Sequence, residues 1–238
     1  GQSTDIVIPE KIGSYTVITI EYGAFKDNNK ITSVKIPSTV TQIGNSYGSG
    51  AFENCANLKS VSIAAGAETA YIGDAAFKDC TSLEEITVPG NYTTIYSDAF
   101  RGCRSLKKFV YNDNGISIKI QNRAFYECTS LVSLSLPTSL NSIGDEAFSG
   151  CSSLTAVDIP EGVKLIEYGV FNNCKLLKKV VIPSTIQRIG NSYNTGAFQN
   201  CTSLSTVTIK EGSQAATIGS NTFSGCSAIT SIVIPGNY

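Results

Sequence analysis

The sequence contains no histidine, no tryptophan and no methionine in its 238 residues. Without histidine it lacks the commonest general base, the Ser-His and Cys-His nucleophile pairs and the imidazole ligands of most zinc sites. Charge is scarce as well: charged residues make up 16% of the chain and the formal net charge is −1. So weak a field gives nothing to attract a polyanion, which argues against nucleic acid and an anionic membrane surface as partners. No apolar run approaches the roughly 20 residues that cross a bilayer, so membrane insertion is not expected. The chain opens GQSTDIVIP, with neither signal peptide nor initiating Met, and such a start carries no information on targeting.

What the sequence does hold is one phrase, repeated. In IGDEAFSGCSSLTAVDIP, Phe148 is preceded five residues earlier by Ile143 and directly by Ala147. It is followed by Cys151, Leu154, Val157, Ile159 and Pro160. The same frame fits Phe25, Phe52, Phe77, Phe100, Phe125, Phe171, Phe198 and Phe223, spaced 27, 25, 23, 25, 23, 23, 27 and 25 residues apart. A period in that range with a leucine-type frame is the mark of a leucine-rich-repeat solenoid.

Within each unit the hydrophobic period changes. Val157 and Ile159 alternate with Ala156 and Asp158, as in a strand with one buried face. Pro160 then closes the strand, since proline cannot donate to a ladder. The small and polar residues before Phe148 suit a helical turn, with Asp145 as its cap. One coil alone buries too little apolar surface to offset the ordering of its backbone, so only a stacked array is stable. These readings predict an α/β leucine-rich-repeat solenoid, rich in β, of about nine repeats of 23–27 residues. Its parallel sheet is expected on the concave face. Residues 1–20 read as an N-terminal capping coil and 21–238 as a single elongated solenoid domain, cut short at its C-terminal end because the last unit carries no polar cap.

The eight cysteines, Cys55 to Cys226, all stand three residues after a frame phenylalanine. They read as free thiols filling small spaces in the core. Bridges between neighbouring coils are the alternative, and zinc a weaker one because no tight Cys-x-x-Cys pair exists. No cofactor or catalytic residue is indicated. The nearest approach to a carboxylate pair, Asp145 and Glu146, sits on a turn where adjacent side chains diverge.

The combination Ile-Gly-x-x-Ala-Phe-x-x-Cys-x-x-Leu-x-x-Val-x-Ile-Pro resembles the BspA-like, or Treponema pallidum type, leucine-rich repeats over nearly all of residues 20 to 238. That resemblance implies a secreted or cell-surface, bacterial, non-enzymatic protein associated with adhesion to host matrix proteins or neighbouring cells. A structural spacer displaying other domains of a longer surface protein is the alternative. The fixed positions of the motif are core, so the resemblance brings no site residues.

Candidate binding residues come instead from the strand pattern. If the Val and Ile of each strand face inward, the residues between them face out and include Lys35, Thr87, Val110, Asp158, Val181 and Thr208. The next outward row includes Lys108 and Lys179. This small, polar face has few aromatics, which favours a protein ligand over a glycan held by ring stacking. Two nearly identical longer loops, GNSYGSGAF and GNSYNTGAF, carry Tyr47 and Tyr193, each read as either an exposed contact or a lid over the core edge. In the unit after Cys103, Phe109 and Tyr111 replace the aliphatic strand pair. This is read as a repacked coil, with a specialised binding segment as the alternative.

Overall fold

A computed structural model describes residues 4–190, 195–212 and 215–236. Each coil contributes two short parallel strands, so two ladders run along the stack. The front ladder joins Asp5–Val7, Ser33–Ile36, Ser60–Ile63, Glu85–Pro89, Lys108–Asn112 and Ser133–Leu134, then resumes with Ala156–Asp158, Lys179–Ile182 and Thr206–Ile209. The second ladder runs from Thr19–Ile20 to Leu140–Ile143 and resumes at Leu165–Ile166. Register follows the repeat: Val34 pairs with Val61, Phe109 with Ile86, and Val157 with Val180.

The expected helical turn is absent, and the α/β description gives way to a parallel-sheet β-solenoid with no helix among the described residues. The reason lies in where the backbone hydrogen bonds go. The Phe125 N–H donates to Ala147 of the next coil, and the Glu127 N–H to Ser149. Between them, the Tyr126 and Cys128 N–H groups donate back to Arg123 and Phe125. Alternate amides therefore bond across coils, which an α-helix with its i→i−4 pattern does not allow. Two residues per turn adopt positive φ, as at Arg123 and Glu127 (both 56°).

The core is one column. Phe52, Phe77, Phe100, Phe125, Phe148, Phe171 and Phe198 are fully buried. Successive rings stack with centroids 5.0–5.6 Å apart and near-parallel planes. The array amounts to about eight turns rather than nine. In the last frame Phe223 is only half-buried, the front strand shrinks to a single bridge, Thr208 to Val233, and Val233 is 81% exposed.

All eight cysteines are free and buried. They do more than fill space, because each Sγ–H donates to the carbonyl of the frame phenylalanine one coil earlier. Examples are Cys80 to Phe52 at 3.2 Å, Cys151 to Phe125 at 3.3 Å and Cys226 to Phe198 at 3.0 Å. Burial pushes the Cys55 thiol up to about 11 and that of Cys151 to about 12. The thiolate is the reactive form. Alkylating reagents at pH 8 are therefore expected to leave the native thiols untouched and to label all eight after unfolding, as mass analysis would count. Rapid native labelling of the central cysteines would show that the column is open.

Charges tie coils together at the surface. Glu53 bridges two neighbouring coils, with Lys26 at 3.0 Å and Lys78 at 3.1 Å. Burial alone would raise the Glu53 carboxyl, but hydrogen bonds from both lysines outweigh it and hold the group below its ordinary value of 4.5. A lowered carboxyl stabilises above its unfolded value, and that contribution is lost as pH falls through the folded one. Glu53→Gln is thus expected to lower the melting temperature at neutral pH and to converge with the unsubstituted protein below pH 4.5. A gap that persisted unchanged in acid would mean that the charge plays no part.

Candidate functional site: the front sheet

Alternation along each front strand sends one row of side chains into the core and leaves its neighbours outside. Lys35 shares register with Val7 and Ser62, Thr87 with Val110, and Asp158 with Val181 and then Thr208. Lys35, Thr87, Asp158 and Thr208 are exposed, whereas Val110 and Val181 are half-buried. Lys108 and Lys179 are exposed in the adjoining row, where Lys108 pairs with Glu85 and Ser133, and Lys179 with Ala156 and Thr206. These eight residues therefore lie on one face of the solenoid.

Tyr47 does not join them. It stands on the loop between the second ladder and the Phe52 turn, 79% exposed, and its N–H donates to Asn45 Oδ1 at 2.9 Å. At that exposure it covers no core edge, so the lid reading fails for this loop. Tyr193 lies outside the described residues.

The coil carrying Phe109 and Tyr111 is repacked. Phe109 is buried with its ring 4.8 Å from Phe125, edge to face, and the Tyr111 hydroxyl donates to the Gly90 carbonyl at 2.9 Å. Asp113 is fully engaged, accepting from Gly115 N–H and from both Thr138 and Ser139 of the next coil. Those bonds hold its carboxyl well below the usual range. On the turn face, Glu146 is bound by Arg123 Nε at 2.6 Å, and burial raises the Asp145 carboxyl.

The main feature invisible in the sequence lies one coil further on. The front ladder stops at Ser133–Leu134 and resumes at Ala156–Asp158 with no strand pairing across the step. A cleft of about 330 Å³ opens there, lined by Val132, Leu134, Leu136, Thr155, Ala156 and Asp158 among others. Val132 is 48% exposed at its mouth and Leu136 is half-buried. The only sequence signals are the leucines that replace β-branched residues in SLSLP and the bulky pair in the preceding coil.

The profile of the BspA type leucine rich repeat region matches residues 2–119 and 118–238, with six copies. The chain belongs to the BspA-type leucine-rich-repeat family. Two solved structures agree in fold. A leucine-rich repeat protein of Eubacterium ventriosum is 22% identical with a TM-score of 0.59, covering 87% of this chain and 56% of its own. The pneumococcal vaccine antigen PcpA is 21% identical with a TM-score of 0.54, covering 86% of this chain and 60% of its own. A leucine rich cell surface protein from Faecalibacterium prausnitzii is 27% identical over 99% of this chain and 76% of its own, with a TM-score of 0.49. No curated protein matches. The positions that recur from unit to unit of this chain are spent on the core, which leaves the outward rows to vary from coil to coil. No helix among the described residues is long and apolar enough to cross a membrane.

Proposed function

We propose that this BspA-type array is a non-enzymatic recognition module, secreted or displayed at the cell surface, that binds a protein of a host or neighbouring cell through its front sheet. The observation that carries this reading is the exposed face on which Lys35, Thr87, Lys108, Asp158, Lys179 and Thr208 lie in two adjoining rows. Solenoids offer such extended surfaces to protein ligands. The surface location is the one implied by the resemblance to BspA-like repeats.

Surface plasmon resonance against a panel of host matrix and cell-surface proteins tests the proposal. Specific binding is expected, weakened by Thr87→Arg or Thr208→Arg and unaffected by Tyr47→Ala. Absence of binding, or binding indifferent to the front-face changes, would favour the spacer reading. The small serine and threonine side chains that make up much of this face are the observation on that side.

A further inference from the structure

The cleft at the interrupted step sits between two pairs of lysines. Lys107 and Lys108 occupy the coil before it, and Lys178 and Lys179 the coil after it. Between them the two equivalent rows read Val132 and Ser133, then Thr155 and Ala156, with no charge at all. Lys107 is held by Glu84 at 2.9 Å. Lys108, Lys178 and Lys179 have no carboxylate within ion-pair distance among the described residues. The one carboxylate lining the cleft is Asp158.

From this arrangement we propose that the cleft docks an extended, acidic segment of a partner protein, lying along the stack and across the strands. The inference rests on the front-sheet reading above and gives it a partner chemistry. Lys108 and Lys179 are three coil steps apart, about 14 Å at strand spacing. An extended chain advances about 3.3 Å per residue and shows every second side chain to one side, so residues i and i+4 span that distance on a common face. Carboxylates at i and i+4 then meet the two lysine ends, and the side chain at i+2 falls over the cleft. Val132, Leu134 and Leu136 make that central position apolar. Asp158 repels an acid placed there, which confines the negative charges to the ends and fixes the register.

The test uses the whole chain and a short fluorescent peptide with glutamates four residues apart and a leucine midway. Anisotropy titrations are expected to show binding that weakens with salt. Binding should be lost when the glutamates become lysines and weakened when the leucine becomes serine. Lys108→Glu and Lys179→Glu should each weaken binding by about fivefold or more, and Lys119→Glu, exposed on the second ladder away from the front sheet, by less than twofold. All three are exposed lysines, and unchanged melting would confirm that the fold is intact. Equal binding of all peptides, no binding of any, or equal effects of the three substitutions would overturn the inference. If a protein from the matrix panel still binds the Lys108→Glu, Lys179→Glu double variant at full strength, the acidic-segment inference fails while the front-sheet reading stands. If no panel protein binds the unsubstituted chain, the front-sheet reading itself fails.

Discussion

Replacing Phe148 with alanine is expected to cost about 3–5 kcal/mol and to broaden the unfolding transition. The ring is fully buried and stacks on Phe125 at 5.2 Å and on Phe171 at 5.5 Å. Removing it empties space that the flanking coils cannot fill, because their backbones are fixed by the bonds from Phe125 to Ala147 and from Phe148 to Val170. The two stacking contacts add about 0.5–1.5 kcal/mol each beyond burial. In an array where each coil touches only its neighbours, the loss also weakens the coupling between the two halves. Phe25, at the end of the column and half-buried, stacks on one neighbour only, so Phe25→Ala should cost clearly less. Denaturant melting of both variants checks the contrast. Similar small losses would mean that the column is not the core.

The second large effect comes from a single methyl group. A Cβ at Gly50 would stand 1.7 Å from the Ala75 carbonyl oxygen and 2.2 Å from its carbon. Both are backbone atoms of the next coil and cannot rotate away. In the shorter units this position holds a positive-φ residue such as Ala75 or Glu146. The longer GNSYGSG loop brings the chain in by another route, and the backbone itself then lies against the neighbour. Gly196, in the matching unit, faces Asn221 the same way at 1.8 Å. Gly50→Ala is therefore expected to cost about 3 kcal/mol or more, the upper range for overpacking. Gly236, with open space around it, should accept alanine with little change. Equal tolerance at the two positions would contradict the coil spacing.

Much of this architecture was legible in the sequence because it depends on local pattern. The phenylalanine frame, the buried cysteines and the outward placement of Lys35, Thr87 and Asp158 all follow from fixed offsets within one unit. What was not legible depends on contacts between units. The segment around Ala147 and Phe148 has a composition that suits either a helical turn or a coil corner, and the choice is made by carbonyls one repeat away. The second ladder escaped because strands as short as Gln42–Ile43 or Leu165–Ile166 are too brief to show alternation. Val110 and Val181 read as outward and are half-buried. The interruption after Ser133–Leu134 follows the coil in which Phe109 reaches across to Phe125, a packing event that no single repeat announces. Hence Lys108 and Lys179 could be read as exposed, but not as the two ends of one cleft.

The claim beneath all of this is that each phenylalanine coil is held by hydrogen bonds to the coils on either side, and native-state hydrogen exchange tests it most directly. The amides of Phe77, Phe100, Phe125, Phe148 and Phe171 donate to carbonyls of the next coil. They should exchange slowly, with protection greatest in the middle of the array and declining toward both ends. Exchange of these amides at the rate of exposed loops, or protection concentrated in one block with no gradient along the chain, would contradict the stacked-coil account.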